Sequence, residues 1–224
     1  MNTSSDAEVC FPERSRASRP MPLRSTVSYR GTIVDRTRNR AFNYESLLER
    51  DFLYVTLATR DVADVHEQPP AVYYKDQSGR QKKHTFDALL LLRDGRRVAV
   101  ALKPSGRVAR SGIQSTLELI RAQVGPNFAD LYVLRTEQHA HPDDAADARL
   151  VLRARGFADP MADRIAVELA AKLDGWCRLG DLARAIGAGG SGFNAAVRLI
   201  GSGVLIVKDQ TRISADCLVR TRPN

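Results

Sequence analysis

His84-Thr-Phe-Asp-Ala-Leu-Leu-Leu-Leu-Arg-Asp-Gly-Arg-Arg-Val-Ala-Val-Ala-Leu-Lys103 is the stretch of sequence that decides the fold. Its two apolar runs, residues 84–92 and 97–102, have the length and composition of buried strands. The Asp94-Gly95 step between them is typical of the tight turn of a β-hairpin. The sequence therefore predicts that these two strands are neighbours in one sheet.

Two charged residues interrupt the apolar hairpin. Asp87 lies in the first strand and Lys103 ends the second, where an unpaired charge is costly. A third charged residue, Glu45, lies upstream, in the first turn of a predicted helix. Hydrolysis of a phosphodiester uses carboxylates that hold a divalent metal, together with a lysine near the attacking water or the developing charge. We therefore interpret Glu45, Asp87 and Lys103 as candidate catalytic residues.

The segments around the hairpin predict an α/β domain built on a mixed sheet flanked by helices. The predicted elements are a helix capped by Asn43, strands at 62–67 and 71–74, the two hairpin strands, a helix from Ile113 to Val124 and a strand at 131–134. Pro104-Ser-Gly ends the hairpin, and Gly125-Pro126 ends the second helix. This domain is expected to span residues 41–140.

The C-terminal part of the chain predicts a second, smaller module. Helices at 143–154 and 161–173 form a helical connector over residues 141–174. Within residues 175–224, the sequence predicts two short helices joined by a glycine-rich turn and then strands at 204–207 and 211–214. This order resembles a winged helix-turn-helix, a DNA-binding module. The alternative is an α/β cap on the first domain; Arg198, Lys208 and Arg212 favour DNA binding.

The composition favours an anionic partner. The 224-residue chain carries 34 Lys and Arg against 26 Asp and Glu, a formal charge of +8. No apolar run approaches the roughly 20 residues that span a bilayer, so we expect no membrane partner and a cytoplasmic protein. Residues 14–40 contain eight arginines and one acid, and residues 1–40 are expected to be a flexible basic arm. Such an arm is either a solvated leader or a segment that follows DNA phosphates.

Residues 29–108 resemble the TnsA family, the endonuclease subunits of heteromeric transposases within the PD-(D/E)XK superfamily. The resemblance is carried, in order, by Tyr29-Arg-Gly, Tyr44-Glu-Ser-Leu-Leu-Glu-Arg-Asp-Phe, His66-Glu-Gln-Pro, and His84-Thr-Phe-Asp with the hairpin to Leu102-Lys-Pro. It implies a restriction-endonuclease-like fold, Mg or Mn as cofactor, double-stranded DNA as partner, and docking onto a transposase or ATPase subunit. The residues matching the catalytic set are Glu45, Asp87 and Lys103, and the implied metal ligands are Glu45, Asp87 and the backbone carbonyl of Leu102.

The sequence departs from the family pattern at two positions. Phe86 stands where the family has proline, which shapes a turn and binds no metal. Ala101 stands where the family has Glu or Gln, so one oxygen ligand is missing and the affinity for a hard cation should fall. The vacant position could be filled by water or by another carboxylate, such as Glu67 or Glu118. Alternatively, catalysis is lost and the fold is retained for binding.

Three functions follow from these observations. The first is a Mg- or Mn-dependent DNA endonuclease, which would act as a homodimer if it cuts both strands. The second is a DNA-binding or regulatory protein that keeps the nuclease fold without the chemistry and needs no cofactor. The third is an adaptor to a transposase-like partner. The candidate DNA-binding residues are Arg30, Arg36, Arg38, Arg40, Arg107, Arg110, Arg198, Lys208 and Arg212.

Overall fold

The N-terminal two thirds of the chain fold around one mixed sheet. The structure is a computed structural model that describes residues 11–18, 29–187 and 189–223. The first elements, in chain order, are β1 (Gly31–Asp35), β2 (Arg40–Tyr44), α1 (Leu47–Ala58), β3 (Val62–Glu67), β4 (Val72–Lys75), β5 (Gln81–His84), β6 (Ala88–Leu92) and β7 (Arg97–Leu102). They are followed by α2 (Ser105–Ser111), α3 (Ile113–Val124) and β8 (Leu131–Arg135).

The central sheet has the strand order β3-β6-β7-β8. The first three strands are antiparallel neighbours, with Ala88 opposite Val100, and β8 runs parallel to β7. Gly95 has a φ of 88° in the β6–β7 turn, a conformation that glycine adopts without strain. The predicted α/β class, with a mixed sheet flanked by helices, is confirmed. The hairpins β1–β2 and β4–β5 are separate two-stranded sheets.

The two faces of the central sheet are covered by different helices. Side chains alternate along a strand, so Val98, Val100 and Leu102 share a cluster with Phe52 and Leu57 of α1. Ala99 and Ala101 lie in a second cluster that contains Ile113, Leu117 and Ile120 of α3. Position 101 therefore lies on the α3 face of the sheet.

The C-terminal part forms its own apolar core. Its elements are α4 (Pro142–Arg155), α5 (Pro160–Ala171), β9 (Cys177–Arg178), α6 (Leu179–Ile186), α7 (Gly190–Gly201), β10 (Leu205–Val207) and β11 (Leu218–Thr221). The strands form an antiparallel sheet of order β10-β11-β9. Val151 and Ala154 of α4 and three alanines of α5 are part of this core. The predicted connector helices are thus integral to the C-terminal fold, and α4 also packs against α1.

Several predicted boundaries were wrong. The first helix begins at Leu47 because the Ser46 side chain caps it, whereas Asn43 lies in β2 and its side-chain oxygen accepts a hydrogen bond from Thr32 at 2.9 Å. The stretch 84–92 contains the end of β5 and all of β6, separated by Thr85-Phe86-Asp87. The second C-terminal strand is β11 and not residues 211–214, because the backbone N–H of Ile213 bonds to Asp147 of α4 instead.

The predicted basic arm is partly folded. Residues 31–40 contain β1 and the turn to β2, so the first folded unit begins before residue 41. Residues 11–18 lie along β2 and β3: Glu13 donates its N–H to the Asn39 carbonyl at 2.8 Å, and the His66 ring bonds the Arg16 carbonyl at 2.7 Å. Residues 1–10 and 19–28 of the arm lie outside the described residues.

No helix within the described ranges combines the length and apolarity needed to cross a bilayer.

Candidate functional site

Asp87 lies where three strands of the central sheet meet at one end. It immediately precedes β6, and its carboxylate Oδ2 accepts a hydrogen bond from the backbone N–H of Leu102 at 2.6 Å. Its own N–H donates to the Val100 carbonyl at 2.9 Å, and its carbonyl accepts from Gln68, just after β3, at 3.0 Å. The Asp87 carboxylate is therefore held at the end of β7, although Asp87 itself lies between β5 and β6 and not within a strand as predicted.

Lys103 lies at the same end of the sheet. It follows β7 directly, and its backbone N–H donates to the Arg135 carbonyl at 3.1 Å. Its side-chain charge acts on His84 at the end of β5. Burial of the His84 ring, with the positive charge of Lys103 adding to it, lowers the pKa of His84 below its ordinary value. Asp87, Lys103 and His84 thus belong to one end of the sheet.

His84 is a residue of this site that sequence reasoning missed. Its ring packs edge-on against Phe86, with 4.7 Å between the ring centroids. Its Nε2 atom is buried and has no hydrogen-bond partner among the described residues. The signal was available in the sequence, since a histidine three positions before Asp87 at the same strand end is a candidate acid or base.

Glu45 lies outside the helix in which it was expected. It occupies the bend between β2 and α1, one residue before the cap Ser46, and is half-buried. Its backbone N–H donates to Oε2 of Glu49 at 2.8 Å. The acidic residue in the first turn of α1, where a negative charge interacts favourably with the positive end of the helix dipole, is therefore Glu49 and not Glu45.

The donor set around Asp87 does not complete a site for Mg or Mn. Ala101 is 1% exposed among apolar side chains of the α3 face and offers no oxygen. One Asp87 oxygen is engaged by the Leu102 N–H. Across residues 11–18, 29–187 and 189–223, no group of three or more His, Cys, Asp or Glu side chains is arranged to hold a metal. Hard divalent cations need several oxygen ligands, and position 101 supplies none of them.

Neither suggested substitute carboxylate replaces the missing ligand on the α3 face. Glu67 is fully buried at the end of β3, two positions after Val65, whose side chain lies in the cluster beneath α1. By strand alternation the Glu67 side chain is on that same face, opposite to Ala101. Its Oε1 accepts a hydrogen bond from the Ser15 hydroxyl. Glu118 is exposed on α3, while Leu117 and Ile120 face the sheet.

Four of the predicted DNA-binding residues are occupied by intramolecular contacts. Arg38 pairs with buried Asp35 at 2.5 Å. Arg40 is 3% exposed and pairs with Asp64 at 2.7 Å. The other two pairs join Arg198 to Asp163 at 2.6 Å, and Arg212 to Asp143 and Asp147, each at 2.8 Å. Each of these four guanidinium groups is already paired with a carboxylate, so it offers fewer free donors to a DNA backbone than an unpaired arginine would.

The remaining five predicted residues differ in how accessible they are. Arg107 and Arg110 are exposed on α2, which contains no buried residue. Arg36 is exposed, with its guanidinium 4.6 Å from the centre of the Phe157 ring. Arg30 and Lys208 are half-buried, the latter in the short turn after β10. The most accessible predicted cations next to the Asp87 site are therefore those of α2.

Helix α7 lies where a winged helix-turn-helix would present a recognition helix, but its sides are covered. Its side chains from Ser191 to Ile200 are all buried or half-buried. The helix packs against α4, α5 and α6, and a Cβ atom on Gly201 would lie 2.4 Å from Val151 of α4. These contacts leave the side chains of α7 less exposed than those of a helix that projects into solvent.

Comparison of the sequence with protein-family models and with curated proteins finds no match. The TnsA resemblance of residues 29–108, the DNA and transposase partners that it implies, and the homodimer expected for two-strand cutting therefore stay predictions. What the structure contributes is the position of Asp87, Lys103 and α2 at one end of the sheet.

The pKa of His84 provides a test of this geometry. We expect it to lie below 6.5, because burial and Lys103 disfavour the charged ring. The unfolded chain then binds the proton more tightly than the folded protein does. The contribution of His84 to the free energy of unfolding is therefore fully present above about pH 6.5 and is lost as the pH falls through the folded pKa. Lys103→Gln should raise the His84 pKa in an NMR titration, while Lys75→Gln, at an exposed position, should not. Equal His84 pKa values in wild type and Lys103→Gln would contradict the electrostatic effect of Lys103 on His84.

Proposed function

We propose that the protein binds double-stranded DNA at the end of the central sheet that carries Asp87, Lys103 and α2. In this proposal the chain has a restriction-endonuclease-like fold whose metal site is incomplete, followed by a winged-helix-like module that serves packing. The order of helix, three antiparallel strands, helix and parallel strand supports such a fold, as does the meeting of Asp87 with the end of β7.

The observation that carries the proposal is the exposed basic helix α2. It begins two residues after Lys103 and contains no fully buried residue, and Val108 is its one side chain that packs against the apolar core. Arg107 and Arg110 are three positions apart and therefore share one face of the helix. Guanidinium groups form paired hydrogen bonds with phosphate oxygens, which suits this face to a DNA backbone. The formal charge of +8 favours the same partner.

Binding without cleavage is the function that the site favours. Ala101 offers no oxygen ligand, and it packs in a cluster with Ile113, Leu117 and Ile120 of α3. The Asp87 carboxylate has a structural role instead, since it satisfies the N–H of Leu102 at the end of β7. This hydrogen bond accounts for a charged residue in the hairpin without any catalytic step.

Charge removal on α2 tests the proposal. The double variant Arg107→Gln/Arg110→Gln should bind a fluorescein-labelled 20-bp duplex about tenfold more weakly in anisotropy titrations, because two phosphate contacts are lost. The slope of log Kd against log salt concentration should fall by about 2 for the same reason. The matched control is Arg153→Gln/Arg164→Gln, which removes two exposed cations from α4 and α5. Equal weakening in both variants, or a salt-independent affinity, would contradict DNA binding at α2 and favour the adaptor function.

An endonuclease is the second candidate function, favoured by the position of Lys103 beside the Asp87 end of the sheet. The same duplex incubated with Mg²⁺ or Mn²⁺ separates the two. We expect no cleavage by the wild type. Cleavage that is absent in Asp87→Asn and Lys103→Gln would show that the site is active despite Ala101.

A further inference from the structure

A cleft between the two parts of the fold is lined by five arginines. It has a volume of about 640 Å³, and its walls come from the β1–β2 turn, the ends of α1 and β6, and the C-termini of α4 and α7. The arginines are Arg38, Arg60, Arg93, Arg155 and Arg198. Among the residues that the structure describes, no Asp or Glu lines the cleft, although Asp61 lines the neighbouring depression.

Three of these arginines are held in place by the fold. Arg155 donates to the carbonyls of Leu57, Ala58 and Gly201 at 3.3, 2.8 and 3.1 Å. Arg38 and Arg198 are fixed by their pairs with Asp35 and Asp163. Arg60 and Arg93 are exposed at the rim, where Nε of Arg93 donates to the Arg60 carbonyl at 2.7 Å. The cleft therefore combines preorganised cations inside with two accessible cations at its opening.

The local negative charge does not balance these arginines. The ion-paired carboxylates are Asp35 and Asp163. The C-termini of α1, α4 and α7 also point at the cleft, each equivalent to about half a negative charge. Five guanidinium groups against two carboxylates and three helix ends leave between one and two positive charges. The arginines also repel one another. Burial lowers the pKa of Arg155, and the positive charges of Arg38 and Arg93 lower it further.

We propose that this cleft is a phosphate-binding site. The exposed guanidinium groups of Arg60 and Arg93 can bind phosphate oxygens through paired, charge-assisted hydrogen bonds, while the three inner arginines contribute positive charge from fixed positions. An anion would relieve the repulsion among the five cations. The hydroxyl groups of Thr37, Thr59 and Ser202 line the same cleft and add polar atoms that suit phosphate oxygens. The phosphate comes either from a free oligophosphate compound or from a DNA backbone.

This site is separate from the one proposed for DNA binding. Asp87 precedes β6 and Arg93 follows it, so the two sites lie at opposite ends of that strand. Six residues of extended chain span about 20 Å. Binding at the cleft can therefore be tested without changing α2 or Lys103, and its failure would not bear on the function proposed above.

Isothermal titration of the full-length protein with inorganic pyrophosphate tests the proposal. We expect saturable binding that Arg60→Gln/Arg93→Gln weakens at least tenfold, because both rim cations are lost. The matched control Arg153→Gln/Arg164→Gln, with the same loss of charge elsewhere, should stay within twofold of wild type. Pyrophosphate should also raise the Tm of the wild type and the control but not that of the rim variant.

A second titration, with the 20-bp duplex, distinguishes the two phosphate sources. If the rim variant loses affinity for pyrophosphate alone, the ligand is a free oligophosphate. If it loses affinity for the duplex, with or without pyrophosphate binding, the cleft holds the DNA backbone. The proposal is overturned if neither ligand binds saturably, or if the rim variant and the control behave alike with both.

Discussion

Gly192→Ala should lower the free energy of unfolding by 3 kcal/mol or more, roughly the upper end of the cost of overpacking a core. A Cβ atom at this position would lie 2.1 Å from the carbonyl oxygen of Ala183 and 2.7 Å from that of Gly187. Both are backbone atoms of α6 and its end, so no side-chain rotation can relieve the contact. Helix α7 would have to move away from α6 and open the core that they share.

Gly190→Ala is the matched control, because it adds the same methyl group to the first turn of the same helix. A Cβ atom there has no neighbour within 4 Å, so we expect its stability to equal or slightly exceed that of the wild type. In thermal unfolding, Gly192→Ala should reduce the Tm by about 10 °C, given that 1 kcal/mol is worth about 2–4 °C in a chain of this size. Similar Tm values for the two variants would mean that α6 and α7 are farther apart than described.

Arg155→Leu should cost about 2–3 kcal/mol, because it strips a charged donor from three carbonyls at helix ends. Leu57 and Ala58 end α1, and Gly201 ends α7, so Arg155 of α4 joins the two parts of the fold. Carbonyls in the last turn of a helix have no partner within the helix. Part of the loss is offset, since repulsion from Arg38 and Arg93 disappears with the guanidinium group.

Chemical denaturation with urea measures this effect. Arg153→Leu is the control, because Arg153 is exposed on the same helix and is not among the residues that line the arginine cleft. Its change should stay within about 0.5 kcal/mol of the wild type. If Arg155→Leu and Arg153→Leu lose equal stability, Arg155 does not hold α1 and α7 together.

The packing of α7 bears on the predicted DNA-binding role of the C-terminal module, which stays a prediction. A recognition helix needs a side-chain face that solvent can reach, and α7 is covered by α4, α5 and α6. The same packing brings the C-termini of α4 and α7 beside α1, where Arg155 bridges them. Our proposals therefore place DNA binding at α2 and phosphate binding at the cleft that this packing creates.

Much of the fold could be predicted from local patterns. The strands at 62–67 and 97–102 and the helix at 113–124 have the bounds that the sequence predicted. In each of these segments the spacing of apolar residues matches the period of the strand or helix that forms. The local sequence is therefore sufficient to predict the type of secondary structure. Helix α2 was missed because its seven residues have no apolar face and follow Pro104, which was interpreted as a break.

The candidate site could be predicted only in part. The turn at Asp94-Gly95 makes β6 and β7 neighbours, and this places Asp87 beside the end of β7. The contribution of His84 depends on where the β4–β5 hairpin lies, which local patterns do not reveal. The face on which Glu67 lies also had to come from the sheet, because a bulge between Val62 and Asp64 shifts the register of β3.

The sequence by itself determined the α/β class, the central hairpin, the excess of positive charge and the missing oxygen at Ala101. Only the tertiary structure decided which arginines form ion pairs and hydrogen bonds within the fold and which stay accessible to solvent. Arg198 meets Asp163 across 35 positions and Arg155 meets Leu57 across 98. Apolar periodicity reports which side of one element is buried, whereas the partner of a charge depends on how distant elements pack. For that reason the sequence showed that the chain is basic, and the structure showed where its cations are available.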